Sequence, residues 1–220
     1  MEHQREVHND SWESLKPDRG TVKQKARIRE TLSVLRRHVN DEDFLFDLGC
    51  GDGTMGYLLS EDLSITVDGC DISDVAVKRA QGNYRNVFRL NIDDEKLPVD
   101  SNLYDVVICT DVLEHTLSPM NALNEIGRVL KNDGVAVISV PNFGFFWYRI
   151  KALNGTVPSI VRDDRHYNAF TISYLQDMLR SCGLDVNSMS GVSKYPKLAN
   201  IYPQLFGQTI IVTARPHSEK

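Results

Sequence analysis

The chain has no apolar run approaching the roughly 20 residues needed to cross a bilayer, no paired C-x-x-C spacing, no internal repeat and no low-complexity tract. Its opening residues, MEHQREVHNDSWESLK, contain no apolar stretch of the signal-peptide kind, so the expectation is a cytoplasmic protein with no membrane span. The four cysteines, Cys50, Cys70, Cys109 and Cys182, are too dispersed for a zinc knuckle or a disulfide framework. Three of them lie in apolar runs, where buried, reduced thiols are expected. Positive charge is also in short supply: 25 Lys and Arg face 30 Asp and Glu, a formal net charge of -5. That balance gives no general attraction to DNA, RNA or an anionic membrane, and leaves room only for a local basic face. At 220 residues the chain suits one generous domain rather than two, so a cofactor site and a substrate site must share one core.

What is present is an alternation of patterns. Ile28, Leu32, Leu35 and Val39 recur at helical spacing within residues 23–39. Short apolar runs at 43–48, 64–70 and 86–90 then alternate with helical stretches starting at Thr54 and Ser73. YDVVICT (104–110) is a continuous apolar run of the kind found in a parallel strand buried on both faces. Pro119 to Lys131 sets Leu123, Ile126 and Leu130 on one stripe, Asn132-Asp133-Gly134 is expected to stop that helix, and VAVISV (135–140) reads as the next strand. After Pro141 the pattern lapses for about 30 residues. It resumes with a helix over 171–182 and strands near 184–190 and 207–214. This rhythm predicts an α/β, Rossmann-like doubly wound sheet with ligands at the carboxyl ends of its strands. The expected division is a helical N-terminal lid over 1–40, a cofactor-binding core over 43–140, a substrate-side insertion over 141–170, and a last helix with two strands over 171–215, all within one domain, 1–220.

The stretch FDLGCGDGTMG, Phe46 to Gly56, carries two spacings at once. Gly51, Gly53 and Gly56 fit the G-x-G-x-x-G of dinucleotide folds, while Asp47, Gly49 and Gly51 fit the D-x-G-x-G of adenosylmethionine folds. Charge separates them. A pyrophosphate on the helix N-terminus would be opposed by carboxylates at Asp47 and Asp52, whereas the sulfonium and ammonium of S-adenosylmethionine suit a carboxylate at Asp47. Asp71, closing the next strand, can take two ribose hydroxyls, and Asp93, after the third, can accept from an adenine amino group.

FDLGCGDGTMG, DGCDIS, NIDDEKLP, YDVVICTDVLEH and EIGRVLKNDGVAVISVPN, in that order, resemble the class I S-adenosylmethionine-dependent methyltransferases over residues 43–140. The resemblance implies seven strands, mostly parallel with one antiparallel, and helices on both faces. It implies cofactor contacts from Gly49, Cys50 and Gly51 in the loop, from Asp71 and Ile72, from Ile92 and Asp93 around adenine, and from Thr110 beside the methionine part. Residues 139–184 look like the methionine-biosynthesis W-type proteins, whereas Leu113-Glu114-His115 is similar to the ubiquinone-biosynthesis O-methyltransferases.

Methyl transfer to a hydroxyl needs a base just beyond the methyl group, and the segment after the fourth strand is where that base is expected. His115 is the candidate general base, with Glu114 to orient it and His166 from the insertion alongside. The alternative for His115 is a capping role in the following turn. Asp111, Glu114, His115 and His166 are also similar to the set with which small-RNA 3′-terminal methyltransferases hold a divalent metal; the expectation is nonetheless that no metal is held. The aromatics Phe143, Phe145, Phe146, Trp147 and Tyr148, with Arg149, Lys151, Arg162 and Arg165, are read as a substrate wall for a small-molecule or glycan-like acceptor, or else as core. Trp12 and the basic stretch from Arg19 to Arg37 are read as the lid. Two rival functions stand beside O-methylation: a cofactor-binding regulatory partner of a biosynthetic enzyme, and RNA 2′-O-methylation, which the acidic balance disfavours. A homodimer or a partner enzyme is compatible with either.

Overall fold

The apolar runs become strands and the stripes become helices in a computed structural model that describes residues 2–14 and 26–217. In chain order these are α1 (Glu2–Ser14), α2 (Ala26–Leu35), β1 (Phe44–Leu48), α3 (Thr54–Ser60), β2 (Thr66–Asp71), α4 (Asp74–Ala80), β3 (Asn86–Arg89), β4 (Tyr104–Thr110), α5 (Pro119–Val129), β5 (Leu130–Pro141), α6 (Phe146–Leu153), α7 (Ile172–Ser181), β6 (Leu184–Val192), α8 (Pro196–Ile201), α9 (Pro203–Phe206) and β7 (Thr209–Pro216). The strands form one sheet in the order β3-β2-β1-β4-β5-β7-β6. All run parallel except β7, which is antiparallel to both β5 and β6.

Strand geometry sends successive side chains to opposite faces, so each apolar run feeds two cores. Leu45, Val106, Ile108, Val135 and Val137 pack with Leu32 and Leu35 of α2 and with Leu58 and Leu59 of α3. Phe46, Val107, Cys109, Ala136 and Ile138 face the other way, onto Leu123 and Ile126 of α5 and Leu175 and Leu179 of α7. Cys50, Cys70 and Cys109 are buried and Cys182 is half-buried, all as free thiols, and burial raises the pKa of each. The register pairs Leu48 with Cys70 on one side and Cys109 on the other, which brings the carboxyl ends of β1, β2 and β4 level. The chain winds outward from β1 through β2 to β3, then returns to start β4 on the other side. The crevice at that reversal is where an open α/β sheet takes its ligand.

Two local expectations are corrected, and a third lies partly outside the described residues. The helix over 119–131 ends at Val129, a turn before Asn132-Asp133-Gly134, because Leu130 is extended, fully buried and paired with Tyr104. Gly134 serves close packing instead: a Cβ there would lie 2.9 Å from Leu130 Cδ2 and 3.1 Å from the Asp105 carbonyl oxygen. The stretch after Pro141 is not irregular throughout, since α6 occupies its middle. Of the basic stretch from Arg19 to Arg37, the portion through Lys25 lies outside the described residues.

Beneath the loop that follows β1 lies the ring of Tyr84. Its hydroxyl donates to the Asp47 carboxylate at 2.6 Å and accepts from the Gly56 N–H at 3.1 Å. A Cβ on Gly53, Gly56 or Gly69 would stand 2.7, 2.8 or 3.1 Å from that ring. Two glycines of the G-x-G-x-x-G spacing therefore make room for a tyrosine. Asp47 is 1% exposed, and burial pushes its carboxyl up to about 7, with the Tyr84 bond pulling the other way and Asp71 and Asp52 adding to the rise.

Two outcomes are expected. Tyr84→Phe strips partners from a buried carboxyl and a buried N–H, so urea titration should show a loss of about 1–3 kcal/mol; an unchanged midpoint would remove this bond from the account. Because folded Asp47 keeps a proton that the unfolded chain releases near pH 4, the folded state binds more protons across the window from about 4 to about 7. Stability falls as pH rises through that window. Asp47→Asn should therefore raise the melting temperature more at about pH 8 than at about pH 5, the advantage growing by up to about 1.4 kcal/mol per pH unit. A pH-independent difference would contradict the raised pKa.

Candidate active site

The loops that leave β1, β2, β3 and β4 surround a cavity of about 410 Å³, a common size for a small-molecule site. The β1 loop turns through Gly49 and Gly51, at φ of 72° and 54°, a region that only glycine enters freely. There is also no space for a side chain at either position. A Cβ on Gly49 would fall 2.3 Å from Val112 Cγ2, and one on Gly51 would fall 2.6 Å from the Trp12 ring. The loop is thus clasped between the β4 turn and the indole of α1.

Asp71, at the end of β2, faces the cavity, and its two carboxylate oxygens accept the Gly51 N–H at 3.0 Å and the Ser73 N–H at 2.8 Å. Each oxygen retains a lone pair for a hydroxyl donor. Asp93 lines the cavity as well, accepting from the Ser118 N–H at 2.9 Å and from Gln4 Nε2 at 3.2 Å. Cys50, Ile72, Ile92 and Thr110 complete the set of expected cofactor residues that reach the wall. Paired carboxylates over glycine backbone, between the apolar side chains of Ile72 and Ile92, match the hydroxyl, amine and ring chemistry of S-adenosylmethionine.

Asp47 departs from expectation. Its carboxyl is turned down to Tyr84 and does not line the cavity, because that bond and the absent side chains of the glycines around it draw it beneath the loop. An N-terminal helical lid was expected over 1–40, but apart from Trp12 the residues of α1 that reach the cavity were not named. Gln4, His8, Ser11 and Trp12 of α1 all line the cavity, although their helix has no apolar stripe. α1 is held by polar contacts with residues far along the chain: the Ser73 hydroxyl donates to Asn9 Oδ1 at 2.7 Å, and Arg165 Nη1 donates to Ser11 Oγ at 2.9 Å. Only Trp12 could have signalled it.

At the end of the cavity beyond Thr110, Asp111 adopts φ 56° and pairs with Arg27 at 2.8 Å, and a short 3-10 turn follows over Leu113–His115. Of Glu114, His115 and His166, only His115 reaches the cavity wall. Its Nδ1 lies 3.0 Å from the Arg165 carbonyl oxygen, which can only accept, so Nδ1 carries the proton and Nε2 keeps its lone pair. Burial lowers the imidazole pKa to about 4, the Arg165 carbonyl opposing the shift and His166, His8 and Arg165 reinforcing it.

Behind His115 stands His166, with ring centroids 4.8 Å apart and its own Nδ1 against the Ile160 carbonyl at 2.9 Å. Glu114 is buried beside them, its pKa raised well above the carboxylate range by burial and by Asp111, and its Oε2 has no hydrogen-bond partner. Donor atoms of Glu114, His115 and His166 all lie within 4.8 Å of one another. Asp111, the fourth member of the expected metal set, is engaged by Arg27 instead.

The aromatic insertion is not the cavity wall. Phe145, Tyr148 and Ile160 form a small core of their own with Phe146 against it, and Trp147 is 49% exposed. From this insertion only Arg165 lines the cavity, bound bidentately to Asp163.

A family model described as a methyltransferase domain matches residues 23–188, most of the chain. The ubiquinone biosynthesis O-methyltransferase of Nitrosomonas europaea is 28% identical over 173 residues, 73% of this chain and 71% of that protein. An uncharacterized protein of Methanocaldococcus jannaschii is 37% identical over 116 residues; the match spans 52% of this chain and only 48% of that relative. Among solved structures, the magnesium protoporphyrin IX methyltransferase of Synechocystis, with bound SAH, superposes with a TM-score of 0.69 at 18% identity, covering 99% of this chain and 97% of that one. The chain belongs to the methyltransferase-domain family, as a class I S-adenosylmethionine-dependent methyltransferase.

Proposed function

We propose that this methyltransferase, acting as one domain over residues 1–220, methylates a hydroxyl of a small-molecule or glycan-type acceptor, with His115 as general base. The observation that carries the reading is the fixed tautomer of His115: Nδ1–H donates to a backbone carbonyl, and Nε2 is left free at the cavity. The name of the Nitrosomonas relative supports oxygen as the atom methylated.

Asp71 would hold the ribose, Ile72, Ile92 and Asp93 the adenine end, and Gly49, Cys50, Gly51 and Thr110 the methionine end. S-adenosylmethionine, when bound, supplies a methyl group already activated on its sulfonium, so the protein's task is to position the acceptor and receive its proton. Asp47 acts from below the loop, shaping it rather than touching the ligand. α1 is the lid, laid over both ends of the cavity. A pKa near 4 keeps His115 neutral and able to accept a proton throughout the physiological range. It also makes His115 a weak base, which suits an acceptor hydroxyl that is itself acidic. A subunit that only bound cofactor would have no use for this tautomer, which favours catalysis over the regulatory alternative.

A second reading rests on the partnerless, buried Glu114 Oε2. Donor atoms of Glu114, His115 and His166 cluster together, and both Nδ1 atoms are committed to backbone carbonyls, the arrangement that usually backs metal-binding imidazoles. Glu114, His115 and His166 would hold the ion, and a divalent cation there would lower the pKa of an acceptor hydroxyl.

His115→Ala should cut turnover by about 100-fold or more while cofactor affinity, read by calorimetry, stays within about twofold. Equal loss of both would make His115 structural. Because the relevant pKa is lowered to about 4, kcat should hold level from neutral pH down to about 5 and fall only below that; an acid limb near the ordinary imidazole value would contradict it. Exhaustive EDTA treatment separates the two readings: unchanged activity keeps His115 as base, and loss restored by a divalent cation assigns it as ligand.

A further inference from the structure

Most of the large exposed hydrophobic side chains among the described residues fall in two segments, 142–162 and 193–208. The segments are one surface. Phe146 packs on Tyr195 and Phe206, with centroids 6.0 and 5.4 Å apart, and Asn142 Nδ2 donates to the carbonyls of Pro203, Gln204 and Gly207. Trp147, Ile150 and Leu153 project from α6, Leu153 at 87% exposure, and Leu198 and Ile201 project from α8 at 42% and 65%. Isolated exposed apolar residues call for no explanation, but an apolar patch built from neighbouring helices does.

The charge pattern says what covers it. In a chain of net charge -5, these two segments contain Arg149, Lys151, Arg162, Lys194 and Lys197 and no Asp or Glu; Asp163 and Asp164 follow directly after the first, Asp163 held by Arg165. Arg162, Lys194 and Lys197 are exposed, and Lys151 is half-buried on the same helix as Leu153. A second copy of this acidic chain would bring apolar surface but no complementary charge, because the face it would present is this same cationic one. A protein partner would need acid groups ringing an apolar centre. A bilayer surface with anionic headgroups supplies both features together: acyl chains for Trp147, Ile150, Leu153 and Ile201, and phosphates for the cations.

We propose that residues 142–162 and 193–208 form a docking face for an anionic phospholipid surface. No helix among the described residues is long and apolar enough to cross a membrane, so the contact lies in the headgroup plane. Trp147, with an apolar ring and one N–H donor, is suited to that boundary. The same insertion continues to Arg165 on the cavity wall, which makes the docking face and the site two parts of one segment. The proposal does not depend on which atom is methylated or on His115.

The test is flotation of the full chain with vesicles of phosphatidylcholine alone or with about one-third phosphatidylglycerol, at low and high salt. Wild type should float with the anionic vesicles at least roughly tenfold more than with the neutral ones, and salt should release it. Lys151→Glu and Lys197→Glu should each reduce partitioning roughly fivefold or more. The Leu153→Glu, Ile201→Glu double variant should lose it while retaining the wild-type melting temperature and calorimetric affinity for S-adenosylmethionine. Failure of wild type to float with either vesicle overturns the proposal, as does a double variant that floats like wild type. Self-association that this double variant abolishes, without vesicle binding by wild type, assigns the face to a second copy and also overturns it.

Discussion

The hydrogen bond between the Tyr84 hydroxyl and the Asp47 carboxyl underlies the arrangement of the site. It joins the last turn of β1 to the segment between α4 and β3, and through the Gly56 N–H it also fixes the first turn of α3. The tyrosine ring occupies the volume that side chains at positions 53, 56 and 69 would need. With that ring in place the glycine loop has a floor, and its Gly49 and Cys50 N–H groups both donate to the Cys70 carbonyl. Asp71 is then within reach of the Gly51 N–H, and the β1 and β2 loops become one surface. Burying a carboxyl here is costly, and the raised pKa of Asp47 measures that cost.

Periodicity was enough to read the middle of the sheet. The apolar runs of β1, β2, β4 and β5 mark strands buried on both faces, whereas the count of seven rested on the family resemblance. The order breaks the rule of successive neighbours twice, with β4 set beside β1 and β7 inserted between β5 and β6. The places of Asp71 and Asp93 on the cavity wall were legible because one closes a strand and the other follows one at the sheet's carboxyl edge. Asp47 was read correctly as a strand-end carboxylate, but its partner could not be foreseen. Tyr84 is 37 residues away, and nothing local marks it as the ring that glycines 53 and 56 accommodate. The same limit hid the contacts that hold α1. Periodicity reports apolar burial, whereas α1 is held by Gln4, Asn9 and Ser11, whose contacts lie at sequence separations of 64 to 154. Asn132-Asp133-Gly134 misled for a related reason: local turn propensity lost to the burial of Leu130.

The cluster behind His115 illustrates how one geometry can serve two chemistries. Two imidazoles have their Nδ1 protons committed to backbone carbonyls, which fixes both tautomers, and His166 Nε2 also lies 3.8 Å from the Asp163 carboxylate. The buried carboxyl of Glu114 beside them is driven toward its neutral form by its surroundings. Such a group is neutral while alone and would give up its proton to become a carboxylate ligand only with a cation beside it. The sequence pattern Glu114-His115 identified the neighbourhood, whereas the division between wall and support required the distances.

The roof over the cavity is held differently from the floor. Among the described residues, hydrogen bonds of Gln4 with Asp93, of Asn9 with Ser73 and the Val75 N–H, and of Ser11 with Arg165 fasten α1 to the rest of the protein. Beside them stand an Arg5–Asp74 ion pair, the His8–His115 ring contact and the Trp12 indole. Each such hydrogen bond contributes on the order of 1 kcal/mol net. A roof held mainly by polar contacts has a lower free energy of local opening than the close-packed core beneath it. Lifting α1 breaks contacts of amide, hydroxyl and guanidinium groups and leaves the packing of the sheet intact.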